Sequence, residues 1–112
     1  MGPDGDSEKI VGNYYVSGDY GFKNVHIGYE DKKWGRIGLI EEPIIAIGHD
    51  KQYIIVKRAK DKPEYFIVSI TNSGIHSEAE KNIKGPLTEN EFDSLIDQLS
   101  LRGLHWTKEF EK

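Results

Sequence analysis

Residues 44–70 hold three apolar runs, 44–47, 53–58 and 65–70, built from Ile, Val, Tyr and Phe. Branched and flat side chains of this kind fit a pleated surface, so each run is expected to be a strand. The links between them carry Gly48 and Asp50 in one case and Asp61 and Pro63 in the other, which suits tight polar connections between antiparallel neighbours. In Tyr53-Ile54-Ile55-Val56 consecutive positions are apolar. Successive strand side chains point to opposite faces, so this strand must be covered on both sides, and one cover is expected to be a helix.

That helix is legible in Leu87-Thr88-Glu89-Asn90-Glu91-Phe92. Thr88 as N-cap can accept from the Glu91 amide while the Glu91 carboxylate reaches back to the Thr88 amide, a capping box; Leu87 and Phe92 stand at the positions of the matching hydrophobic staple. Phe92, Leu95, Ile96 and Leu99 then follow at i, i+3, i+4 and i+7, one apolar stripe. The pattern predicts a helix over 89–100 with Gly103 just past its end. Leu95→Ala is expected to cost about 2 to 5 kcal/mol if the stripe packs on the sheet.

Upstream, Val25, Ile27 and Tyr29 alternate with His26, Gly28 and Glu30, the period of a half-buried strand with one wet face. Residues 13–16 and 34–40 read as further strands, and Asp31-Lys32-Lys33 as a charged turn. Pro43 lacks a ladder donor and belongs at a strand start or an edge. Ile75, Ala79 and Ile83 lie four apart in an otherwise polar segment, which permits a short helical turn, and residues 104–110 suit a last edge strand or an extended tail. The expected fold is α+β: a twisted antiparallel meander sheet of five to six strands with one C-terminal helix packed on one face. Residues 1–9 are expected to be a flexible leader and 10–112 a single domain, since the first eight residues carry no apolar group beyond Met1.

The formal net charge of −4 exerts no long-range pull on polyanions, so nucleic acid is not an expected partner. No apolar run approaches the roughly 20 residues needed to cross a bilayer. With no cysteine there is no disulfide, thiolate nucleophile or sulfur ligand. His26, His49, His76 and His105 are too scattered to preorganise a metal, and neither a nucleophile elbow nor a phosphate-binding glycine loop occurs. No catalytic, metal-binding or cofactor-binding residue is therefore assigned. His49 beside Asp50 resembles an orienting pair for acid and base work, but a turn in which Asp50 bonds nearby amides is the simpler reading. The run 57–62 reads as a solubilising hairpin tip.

Six aromatic residues, Tyr14, Tyr15, Tyr20, Phe22, Tyr29 and Trp34, crowd the first third. They either line the inner side of the sheet or turn outward as a contact patch, for which Tyr14, Tyr20 and Trp34 are the candidates.

The order "IGHD", "QYIIVKRA", "EYFIVSI", "GPLTENEF" and a Leu-rich helix, over about 34–101, resembles an uncharacterised group of small bacterial proteins, many of them lipoproteins, known as domain of unknown function 3997. The resemblance implies an extracytoplasmic location tethered through a lipid anchor and assigns no functional residue. Three function classes stay open. The first is a non-enzymatic envelope domain that binds a protein or other envelope ligand. The second is a small acidic cytoplasmic immunity or inhibitor protein, and the third an enzyme assembled around His49 and Asp50.

Overall fold

The computed structural model describes residues 5–59 and 61–110. They form two antiparallel sheets and two short helices rather than one sheet with one helix. The first sheet is a meander of β1 (Gly5–Val11), β2 (Tyr14–Asp19), β3 (Lys23–Asp31) and β4 (Gly35–Ile40), in that order. After the link 41–43 the chain enters the second sheet, made of β5 (Ile44–His49), β6 (Tyr53–Ala59), β7 (Pro63–Ser69), β8 (Ile83–Leu87) and β9 (Lys108–Glu109), with spatial order β8-β7-β6-β5-β9. Helix α1 (His76–Lys81) lies between β7 and β8, and α2 (Glu89–Gln98) between β8 and β9.

Alternation along the strands builds three layers. Tyr14, Val16, Val25, Ile27 and Tyr29 of the first sheet pack against Ile44, Ile47, Ile54, Val56, Phe66 and Val68 of the second. The intervening positions Ile55, Tyr65 and Ile67 face the other way and bury Phe92 and Ile96 of α2. The run Ile54-Ile55-Val56 is therefore covered on both sides, by a second sheet on one and by the expected helix on the other.

The capping box is present: the Glu91 amide donates to Thr88 Oγ1 at 3.1 Å and the Thr88 amide to Glu91 Oε1 at 2.9 Å. Phe92 and Ile96 are the buried positions of α2, while Leu95 and Leu99 are only half-buried. The helix stops at Gln98, two residues early, and Ser100 takes the left-handed turn (φ 58°) in place of Gly103. The larger truncation cost thus moves from Leu95 to Phe92.

Other expectations shift as well. Strand β1 begins at Gly5, so much of the expected leader is ladder; residues 1–4 lie outside the described residues. Asp6 within it accepts from the amides of Gly21 and Phe22 and so holds the β2–β3 turn. β8 was not expected; Pro86, with no amide to donate, is accommodated because β8 is an edge. Arg58, read as part of a solvated tip, is buried, with Nε 2.8 Å from Glu64 Oε1 and its guanidinium over Phe66; Lys60 of the same tip lies outside the described residues.

The C-terminal segment becomes a two-residue edge strand beside β5, fixed by Thr107 N to Ile47 O and Phe110 N to Ile45 O, both 2.8 Å. Gly48 permits this, since a Cβ there would run into the carbonyl of His105. Gly48→Ala is expected to cost about 1 to 3 kcal/mol through that clash. Hydrogen exchange should quicken first at Thr107 and Phe110, and unchanged protection there would refute the account.

Candidate functional site

Two buried tyrosines tie the sheets together at one end. Tyr14 and Tyr29 are fully buried and meet edge to face, with ring centroids 4.9 Å apart. Their hydroxyls hold the connection that follows β7. Tyr29 donates to the Thr71 carbonyl at 2.7 Å and accepts from the Gly74 amide at 3.0 Å, while Tyr14 accepts from the Thr71 amide at 3.0 Å. Burial pushes the Tyr14 hydroxyl above the ordinary tyrosine value, the Thr71 amide opposing it. Gly74 sits at φ 78°, a left-handed conformation suited to glycine, and its carbonyl accepts from the Lys32 amide at 2.8 Å.

Beside this clamp lies Asp31, which is buried at the end of β3. Its Oδ1 accepts from the amides of Lys33 (2.7 Å) and Trp34 (2.9 Å), closing the β3–β4 turn, and its Oδ2 accepts from the His76 amide (3.0 Å) at the start of α1. Helix α1 has no side-chain cap of its own, so a carboxylate from the other sheet serves it. These amides, His76 first, hold the carboxyl below its ordinary value of 3.8. The stabilisation is complete above that ordinary value and is lost as the pH falls through the lower folded one. Asp31→Asn should therefore lower the urea midpoint at pH 7 and flatten its fall between about pH 5 and pH 2. A midpoint falling as steeply in the variant as in the parent would refute that role.

The turn that Asp31 holds presents Trp34, 71 % exposed, with Lys33 Nζ 5.1 Å from its ring centroid. Lys32, Lys33, Ile37, Gly74 and Ile75 line a concavity of about 390 Å³ beside it. Tyr20 is also exposed, at 78 %, but in the β2–β3 turn. The nine-residue β3 separates the two turns, which places these rings roughly 27 Å apart at opposite ends of the sheet. Of the three contact candidates, Tyr14 is internal, and Tyr20 and Trp34 do not share a patch.

A larger groove, about 710 Å³, follows the end of β4 and is lined by His26, Gly38 to Glu42 and Glu80. It was not anticipated, because its carboxylates come from a link and from α1. His49 and His105 line a third hollow of about 250 Å³. The Asp50 carboxylate does not orient His49, whose Nδ1 meets only the Asp50 main-chain carbonyl at 3.4 Å: Oδ1 accepts from the Gln52 and Tyr53 amides, each at 2.7 Å, as the turn reading required. Among the described residues no three His, Asp or Glu side chains group to hold a metal ion, and no helix is long and apolar enough to cross a membrane.

A family model described as "Protein of unknown function (DUF3997)" matches residues 11–105. The chain belongs to that family. The matched span takes in both tyrosines of the clamp, Asp31, Trp34, the β4 groove and both helices, whereas nearly all of β1 and the whole of β9 fall outside it. Neither curated proteins nor solved structures give a match to this chain.

Proposed function

We propose that this protein is a small non-enzymatic binding domain of the cell envelope, held near the membrane by a lipid anchor and engaging a protein partner through its Trp34 end. The observation that carries the reading is the 71 % exposure of Trp34 on a turn fixed by Asp31. A large aromatic ring displayed on an ordered turn loses little conformational freedom when it docks, which is the economy of contact hot spots. The extracytoplasmic location is supported by the resemblance of residues 34–101 to small bacterial lipoproteins.

A photo-crosslinking residue at position 34 in cells is expected to yield a discrete adduct in the membrane fraction, whereas one at position 20 should not. Trp34→Ala should abolish partner capture while changing stability by less than about 0.5 kcal/mol, as is usual for an exposed side chain. Equal labelling from both positions, or a protein found wholly in the cytosol, would sink the proposal.

A further inference from the structure

Strand β4 is one edge of the first sheet, β1 being the other, and its outward side makes no backbone–backbone hydrogen bond among the described residues. Within β4 His76 reaches it, Nε2 donating to the Gly38 carbonyl at 2.7 Å, and just past its end Arg58 Nη1 donates to the Glu41 carbonyl at 3.4 Å, which leaves the backbone of Leu39 and Ile40 open between them. Open edges invite another strand, and proteins ordinarily blunt them with proline or charge. The β8 edge carries Pro86; residues 38–40 are Gly-Leu-Ile.

The register there is specific. Ile27 pairs with Ile40 and Gly28 with Gly38, so Leu39 is the extra, unpaired residue of a bulge. Bulges re-aim side chains, and Leu39 lines both the β4 groove and an adjoining hollow of about 430 Å³ floored by Phe66, Ile83 and Pro86. Above this apolar floor stand Glu41, Glu42 and Glu80. Glu41 and Glu42 have no ion-pair partner among the described residues, and the nearby Arg58 is taken up by Glu64.

We propose that the β4 edge and its groove accept an extended peptide segment of a partner protein in which apolar residues alternate with Lys or Arg. Its backbone pairs with the open part of the edge, its apolar side chains lie against Leu39 and Ile40, and its cations face Glu41, Glu42 and Glu80. This is strand addition: main-chain bonds supply affinity and alternate side chains supply specificity. The charge of the rim selects a basic partner over an acidic one. The surface is separate from the Trp34 turn and does not depend on its role.

The test uses the full chain and three capped octapeptides: alternating Lys-Val, alternating Glu-Val, and Lys-Val with N-methylated alternate amides. Only the plain Lys-Val peptide is expected to bind, with amide shifts confined to 38–42 and α1. Glu41→Lys with Glu42→Lys should weaken it at least about fivefold and remove most of its salt dependence. Equal binding of the N-methylated peptide would reduce the effect to charge attraction and overturn strand addition. Shifts elsewhere, an unaffected double variant, or a dimer of the chain closing the edge without peptide would also overturn it. Peptide binding that survives Trp34→Ala, with no adduct at position 34, defeats the Trp34 reading alone; an adduct without peptide binding defeats the groove alone.

Discussion

Phe92→Ala should lower the stability of this domain by about 3 to 5 kcal/mol, the range for truncating a buried aromatic ring. Phe92 is 7 % exposed and stacks on Tyr65 of β7 at 4.8 Å between centroids, with Trp106 beside both rings, 5.9 Å from Phe92 and 6.5 Å from Tyr65. It also completes the staple with Leu87 where α2 begins. Alanine there removes the ring that joins α2, β7 and the C-terminal segment, and the residual cavity adds to the lost transfer energy. Leu95→Ala, at a half-buried position, should cost about 1 to 2 kcal/mol, less than full burial would imply. Urea titrations of both variants decide this, and equal midpoints would show that the stripe packs differently.

Tyr29→Phe is the second large effect expected, and it removes a single oxygen. The ring contact with Tyr14 is retained, but the Thr71 carbonyl and the Gly74 amide lose their partner. A buried polar group left unpaired costs about 1 to 3 kcal/mol; the Gly74 amide is buried and the Thr71 carbonyl only partly so, and the pair should cost about 2 to 4 kcal/mol. Hydrogen exchange at Gly74 should accelerate well beyond that of the β6 amides. Tyr14→Phe strands only the Thr71 amide and should cost about half as much. If Tyr29→Phe were neutral, the connection after β7 would be held by something other than the hydroxyl.

Local patterns recovered what depends on neighbours in sequence. Ile54, Ile55 and Val56 announced a strand covered on both faces and Thr88 and Glu91 a helix start, and both stand in the structure; Val25, Ile27 and Tyr29 announced a strand with one wet face, on which His26 and Glu30 are half-buried and Gly28 is buried. Alternation says which face of a strand is buried but not which sheet the strand joins, so one meander is expected where the chain in fact changes sheets at 41–43. No strand pattern marks residues 83–87, and β8 tolerates Pro86 only because it is an edge. Asp31 was legible in kind. Asp-Lys-Lys-Trp and Asp-Lys-Gln-Tyr share a spacing, and in both the aspartate bonds the amides two and three residues on. What the spacing does not carry is the reach of Asp31 to His76, 45 residues away. The same holds for Tyr14, whose candidacy as a contact residue fails because its hydroxyl finds Thr71 across the fold.

The change of sheet at 41–43 makes each sheet a continuous piece of chain. Every strand pairing is between sequence neighbours except that of β5 with β9, so the two halves assemble from short-range hairpins before they meet. Severed at that link, the protein becomes a natural two-fragment reporter: the first fragment offers Val16, Val25 and Ile27 to water until the second covers them, and recovery of the whole would measure the grip between the sheets directly.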